Sequence, residues 1–574
     1  MVNALDPIMM DILENDNPKF NKDIADGLAR HYVKVLPRYL DAVFKSAMST
    51  IDSSVPMIYK GFRKLSPLED FYNNINASAS KNIIDIGRDY IYKVEYGFEY
   101  NNKAFNRVIA LPYVDRGGYL KLSDSHYCLN PVLSEYPISP APSELFVRVL
   151  RDKLNIKKMY RNILVDDEKV SIQIIHSRSY KLVDKVNDII PIALYSFVKY
   201  GFLNTFKKLF NTVPKIMRTK DIDTTALRKN YKEYTTTGIR PRTLNTVNYV
   251  PHNISIFIKK EDVNPILETY VASLIYSFDL TPAFAEQVPT VIKGDKPITT
   301  DFDFSKIDDE SLFWVTLLGK VIFKNRFTLD RVQTDMLEHI NILNGYLDLI
   351  VKEKLLEINI DVDDFFELLN HCIISFNDLV LNYENYSSKL DNRYIDLPYY
   401  ILFVIIVGVN KAFLEFKRAS SNRILTEKEL ARIFNKVLST KKIYKNIKSN
   451  AINLGVTPVS NTSDNMYFNM TSILEDQNRG SGVSRSKKNA FPLNTKFISA
   501  EDIVFGSMLH MSKKNPSPRF KINPYTNVDI KTGKFIIDTQ TQEMIDCVRP
   551  MLTNTFENDT IVESENIAEI AELV

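Results

Sequence analysis

Residues 90–140 read YIYKVEYGFEYNNKAFNRVIALPYVDRGGYLKLSDSHYCLNPVLSEYPISP, and the period of this stretch decides the fold class. Tyr90, Tyr92, Val94, Tyr96, Phe98 and Tyr100 alternate with other residues, the pattern of a half-buried strand. Asn101 and Asn102 supply a turn, and Arg107 to Val114 a second strand. Gly117-Gly118 makes a second turn, after which Tyr119 to Leu122 and Tyr127 to Leu133 offer further strand material. An antiparallel β module is expected here.

On either side the period changes. From Lys22 to Met48 apolar residues recur at helical spacing (Ile24, Leu28, Tyr32, Leu36, Leu40, Val43), with Pro37 placed to kink the run. Between Pro140 and about Asp391 helical and short strand patterns mix. The helical ones include Leu145 to Leu154, Leu194 to Phe210 and Asp335 to Leu355. Further helices are expected at Leu397 to Lys417 and Glu427 to Leu438, each with an apolar face. Beyond Gly455 periodicity fades, and Asn478 to Asn489 (NRGSGVSRSKKN) reads as an exposed loop. The fold class expected is multidomain α+β. At 574 residues the chain is long enough for several domains.

A hydrophobic content of 45% and a charged content of 25% are those of an ordinary globular protein. Cys128, Cys372 and Cys547 lie far apart with no C-x-x-C pair, which supports neither a disulfide framework nor a zinc knuckle. Met1 to Asp16 lacks the basic and apolar regions of a secretion signal. The most apolar run, Tyr399 to Val409, is about half the roughly 20 residues a spanning helix needs, and reads as a buried helix. No membrane is therefore expected as a partner.

The net charge of +3 conceals a polarised distribution. From Lys417 to Lys534 there are 21 Lys or Arg against 8 Asp or Glu, whereas from Asp538 to Val574 nine carboxylates face only Arg549. The basic stretch is a candidate surface for a polyanion, with a solvated charged face as the other reading. The acidic end reads as a solvated tail or a docking segment.

Three separated blocks, in one chain order, resemble the β subunit family of multisubunit DNA-directed RNA polymerases. Val108 to Pro140 is similar to the start of the protrusion domain, with Pro112, Gly117, Gly118, Tyr119 and Leu122 in step. Ser125 and His126 stand where the family carries a Glu and an Arg. Leu390 to Arg418 is similar to the return from the lobe into the protrusion, with Asp391, Asn392, Arg393, Leu397 and Arg418 aligned. Lys441 to Gly455 with Ser472 to Gly506 resembles the fork region, where Arg479 matches the second Arg of a family pair and Asn478 replaces the first. KKNPSP, residues 513–518, stands in place of the family's acidic element beside the rifamycin pocket, which implies rifamycin resistance.

The resemblance implies an order of parts. Residues 1–140 would be the first part of the protrusion, 141–388 a lobe-like insertion, 389–455 the protrusion return, 456–537 the fork and 538–574 the acidic tail. The sequence ends where a cellular β subunit continues, which implies a split subunit of the kind giant bacteriophages encode. The implied partners are a β C-terminal fragment, β′ N- and C-terminal fragments and a phage-specific promoter or accessory subunit, together with template DNA and the RNA:DNA hybrid. The implied location is the cytoplasm of an infected bacterium, or a phage replication compartment within it.

The chemistry read from the residues agrees with a non-catalytic role. Nucleotidyl transfer needs metal ions held by closely spaced Asp residues, which the family carries on β′, so Mg2+ is expected on that partner. Residues 300–305, TDFDFS, mimic the metal loop but have Phe304 and Ser305 in place of its Gly and third Asp. Asp361, Asp363 and Asp364 lack the Gly of a calcium loop and read as a helix N-terminus. His371 beside Cys372 does not share a helix face with it, and no G-x-x-x-x-G-K-[ST] phosphate loop occurs. No catalytic and no metal residues are therefore assigned.

The residues expected to hold nucleic-acid phosphates are Arg479, Arg485, Lys487, Lys488, Lys513, Lys514, Arg519 and Lys521, with Gly480 and Gly482 permitting close approach. Alternative readings are a virion structural or DNA-packaging protein, a virion-packaged polymerase subunit and a free-standing DNA-binding replication protein.

Overall fold

The computed structural model describes residues 28–49, 56–77, 91–113, 119–122, 125–129, 132–141, 143–148, 153–177, 189–218, 227–238, 251–281, 311–323, 329–343, 347, 349–383, 392–396, short pieces within 408–420, 423–438, 456–459, 472–476, 500–506, 519–521 and 526–557. The chain divides into two compact units, Met1–Tyr136 with Tyr386–Val574, and Pro137–Asn385. Both mix helix and sheet, so the α+β class holds.

In the first unit, strands β1 (Met57–Lys64), β2 (Ile91–Tyr100) and β3 (Lys103–Pro112) form an antiparallel sheet in that order. The alternation read from sequence is the burial pattern of β2, where Val94, Tyr96, Phe98 and Tyr100 face the core. Asn101 and Asn102 both take positive φ, 51° and 60°, which gives the β2–β3 hairpin its tight turn. β1 carries a register shift between Tyr59 and Gly61, and Gly61 sits at φ +106°.

The helix Leu28–Ser49 covers this sheet with Leu36, Leu40 and Phe44, one above another at four-residue spacing. It runs unbroken through Pro37, whose carbonyl accepts the Tyr96 hydroxyl at 3.3 Å. Phe44 packs 4.8 Å from Tyr96 and 5.3 Å from Phe98. The helix Glu427–Leu438 closes the same core through Phe434, 6.0 Å from Phe98 and 5.5 Å from Phe105. Its start is fixed by a reciprocal cap: Thr426 N–H donates to Glu429 Oε2 at 2.9 Å and Glu429 N–H to Thr426 Oγ1 at 3.4 Å. Of the helix expected over Leu397 to Lys417, only pieces from residue 408 onward are described; there Val409, Ala412, Phe413 and Phe416 are buried.

Two smaller sheets are also described in this unit. β4 (Tyr119–Leu122), β5 (Ser125–Leu129) and β16 (Val456–Val459) pair antiparallel in the order β16-β5-β4. The other, β15-β6-β17-β18, contains β6 (Val132–Glu135), β15 (Arg393–Asp396), β17 (Ser472–Asp476) and β18 (Arg519–Lys521).

The second unit is an eight-stranded sheet covered by helices. Its centre is the long β9 (Lys153–Val165), paired along β10 (Glu168–Ser177) on one side and with β8 (Glu144–Arg148) and then β13 (Tyr231–Thr235) on the other. β7 (Ile138–Ala141), β11 (Ile190–Pro191), β12 (Lys215–Arg218) and β14 (Ile254–Lys259) extend it. The helix expected over Leu145 to Leu154 is not there, because β8 and the start of β9 occupy it. Leu145 and Val147 face the core on one side of β8, and a short apolar run of this kind fits either period until a neighbouring strand claims it. The segment read as one helix over Asp335 to Leu355 is two, Leu329–Leu343 and Leu349–Leu356.

Aromatic packing fills the space between sheet and helices. Trp314 lies parallel to Phe202 at 6.2 Å and 5.5 Å from Phe197. Asn370 is buried there and accepts from the Tyr270 hydroxyl at 2.8 Å and from the Ser196 hydroxyl. The helix Pro265–Leu280 buries Thr269, Ser273, Ser277 and the following Thr281, each hydroxyl donating to the carbonyl four residues earlier. Those polar groups are thus satisfied within the helix and need no ligand.

Candidate nucleic-acid interface

The basic stretch is anchored by the four-stranded sheet. β6 is held between β15, antiparallel with Arg393 opposite Glu135, and β17, parallel with Leu474 opposite Val132. β18 pairs antiparallel with β17, placing Arg519 opposite Leu474 and Lys521 opposite Ser472. Strand β17 therefore ends, and β18 begins, at the same end of one strand pair. The chain between Asp476 and Arg519, which contains most of the basic residues singled out from sequence, leaves and re-enters side by side.

Of those residues, Arg519 and Lys521 belong to β18. Arg479, Arg485, Lys487, Lys488, Lys513 and Lys514 lie outside the described residues, as do Gly480, Gly482 and residues 300–305.

A turn clamps the outer edge of this sheet. Ile395 N–H of β15 donates to the Gly533 carbonyl at 2.7 Å, and Gly533 N–H to the Asp529 carbonyl at 2.7 Å. Gly533 has φ +74°, and a Cβ there would fall 2.0 Å from the Ile395 oxygen, so only glycine fits. Asp529 organises the turn by accepting from Lys531 N–H at 3.0 Å and the Thr532 hydroxyl at 2.7 Å, which hold its carboxyl below the usual carboxylate range. Lys534 stands 5.3 Å over the Tyr136 ring, and Tyr136 packs 5.3 Å from Tyr394. The cation of Lys534 is thereby engaged within the protein.

The segment between β17 and β18 includes a short helix, Ala500–Phe505, packed on the helix Thr539–Glu557. Glu501 is 2% exposed and pairs with Arg549 at 2.9 Å, while Ile545 and Val548 are buried. Residues 539–557, read from sequence as part of an acidic tail, are thus helical. Asp538 caps that helix by accepting from Thr541 N–H at 2.8 Å.

Surface charge elsewhere on the unit is unevenly neutralised. On the outward face of β1 and β2, Lys60 pairs with Glu99 at 2.7 Å, Arg63 with Glu95 at 2.6 Å and Lys93 with Asp70 at 2.5 Å. By contrast Lys428 and Arg432 are exposed four residues apart on the helix Glu427–Leu438, with no ion pair among the described residues. They belong to the same basic stretch of sequence and were missing from the sequence assignment. Their i,i+4 spacing within the basic stretch was the available signal.

The other carboxylate motifs have local explanations. Asp364 caps the helix Phe365–Ile374, accepting from Phe366 N–H at 2.9 Å and Glu367 N–H at 3.0 Å, as its sequence position led us to expect. Cys372 is fully buried in the core of the second unit, and burial pushes its thiol up to about 12. Among the described residues no three His, Cys, Asp or Glu side chains are placed to hold a metal ion. Among the same residues no helix is long and apolar enough to cross a membrane.

Over residues 1–542 the sequence matches the family of non-virion RNA polymerase subunits, and the chain belongs to that family. It is a subunit of a phage RNA polymerase and works with other subunits. No curated protein matches the chain.

Proposed function

We propose that this subunit is the N-terminal half of a split β subunit, forming the protrusion, lobe and fork of one pincer of the polymerase cleft. The observation that carries the reading is the four-stranded sheet. β6 comes from the protrusion-like block, β15 from the block resembling the return, and β17 and β18 from the fork-like stretch. Blocks that resemble one family in order along the chain are thus paired in one sheet, which supports the reading. The split at Tyr136 and Tyr386 supports the same reading, since an inserted body between paired β6 and β15 is what a lobe within a protrusion requires.

In this reading Arg479, Arg485, Lys487, Lys488, Lys513, Lys514, Arg519 and Lys521 hold phosphates of template DNA and the RNA:DNA hybrid. Their charge displaces condensed counterions and positions the strand without reading its sequence. Lys428 and Arg432 add to that field. Metal chemistry, with Mg2+, belongs to the β′ fragments, and promoter choice to an accessory subunit. The complex would act in the cytoplasm of the infected host. The family's non-virion designation speaks against a packaging or virion-enclosed role.

The test is reconstitution. The isolated chain should synthesise no RNA. Within the assembled enzyme, Arg479→Ala with Lys487→Ala and Lys488→Ala should slow elongation and flatten its dependence on salt by about one power per lost phosphate contact. RNA synthesis by the single chain, or an unaltered salt slope in the triple variant, would overturn the proposal.

A further inference from the structure

One partly buried cation in the first unit, Arg107, has no carboxylate partner among the described residues. Arg107 lies on β3 directly opposite Tyr96 of β2, which in turn lies opposite Phe62 of β1. Directly opposed residues point to the same side of a sheet, so Arg107 shares the core-facing side with Tyr96, Phe105 and Ile109, all buried. Its Nε is buried and has no hydrogen-bond partner among the described residues. Burial lowers the affinity of its guanidinium for the proton, with no carboxylate acting in the opposite direction.

Among the described residues, the carboxylates on the neighbouring elements are already committed. Asp41 accepts from the Tyr59 hydroxyl at 2.7 Å and pairs with Lys45 at 2.8 Å. Glu95 pairs with Arg63 at 2.6 Å and Glu99 with Lys60 at 2.7 Å, both on the opposite face. A half-buried, always charged guanidinium whose buried Nε–H lacks an acceptor is unfavourable in a finished protein, and surrounding structure normally supplies one. β3 is also an edge: β2 is its only paired neighbour among the described residues.

We propose that Arg107 is a docking socket for one carboxylate side chain of another subunit of the polymerase, the ion pair being completed on assembly. The inference rests on membership of the polymerase family and not on the assignment to a pincer. A protein partner fits better than a nucleic acid. A nucleic-acid strand brings phosphates in a row and is held by cations in a row. Arg107 is instead a single half-buried cation on an edge strand, beside the buried core residues Tyr96, Phe105 and Ile109, a setting that suits one acid and not a row of phosphates.

Two measurements test the socket. The full-length chain with Arg107→Met, which keeps the apolar stem and removes the charge, should melt at the wild-type temperature or a few degrees above it. Its affinity for the remaining co-expressed subunits should fall at least about tenfold, since the partner's acid is left buried and unpaired. Arg107→Lys should recover part of that loss. A fall in melting temperature of several degrees, or unchanged assembly, would overturn the proposal, because an ordinary structural arginine behaves that way. With a photoreactive benzoylphenylalanine replacing Arg107 in the assembled, template-loaded enzyme, cross-linking to a partner subunit supports the socket. Cross-linking to DNA or RNA, or to nothing while wild-type subunits assemble normally, rejects it and leaves the family assignment standing.

Discussion

Asp279, in the last turn of the helix Pro265–Leu280, accepts from Thr237 N–H at 2.9 Å, yet burial dominates and raises its carboxyl to about 6. The folded protein therefore keeps this proton to a higher pH than the unfolded chain does. Stability falls as the pH rises from about 4 to about 6 and stays reduced above that. A shift from 3.8 to about 6 sets an upper limit of about 3 kcal/mol on the effect. Asp279→Asn should consequently stabilise the protein at pH 7.5, with the gain shrinking toward zero near pH 4. Thermal melts across that range check the direction; a gain that does not vary with pH would rule out ionisation as its origin.

Single residues also mark the limit of what sequence reveals. Asn101-Asn102 and Asp364 were legible because a turn and a helix cap are decided by neighbours one to three positions away. Gly533 was not, since its need for glycine comes from the Ile395 oxygen, which is remote in sequence. Glu501 and Arg549 likewise read as ordinary surface charges until the fold brings them together.

At the scale of elements, the strand alternation over Tyr92 to Tyr100 and the helix Glu427–Leu438 were readable because one face of each is buried and the other is not. β8 and β9 were misread because Leu145, Phe146 and Val147 are all buried, which erases the period. Of the candidate site, strand placement is visible only for Arg519 and Lys521. The anchoring sheet itself could not be read from sequence, since it joins segments from four distant parts of the chain.

The Gly533 turn gives that sheet a testable dependence. Gly533→Ala adds left-handed strain and a collision with a backbone oxygen, so the turn must lift from β15 and the bond from Ile395 N–H is lost. We expect destabilisation of about 2 to 4 kcal/mol and faster amide exchange at Ile395. Retained protection of that amide with an unchanged melting temperature would show that the clamp has no role in holding the sheet edge.

For the whole molecule, the division into two units can be tested through a compositional accident. The chain contains one tryptophan, Trp314, and it lies 1% exposed in the aromatic core of the unit Pro137–Asn385. Its fluorescence therefore reports on that unit alone, whereas far-ultraviolet circular dichroism reports on both. Each unit has its own sheets and its own aromatic core, built respectively around Phe44 and Phe98 and around Phe197 and Phe202. The inserted unit leaves after β6 and returns before β15 at strands already paired through Glu135 and Arg393, so closing that gap with a short linker needs no new geometry. Residues 137–385 expressed alone should then unfold cooperatively with a blue-shifted tryptophan emission. In the full chain, the denaturant midpoints seen by fluorescence and by circular dichroism should differ, the signature of units that melt separately. Coincident midpoints together with an unfolded isolated fragment would mean that the two cores stabilise each other and the molecule folds as one body.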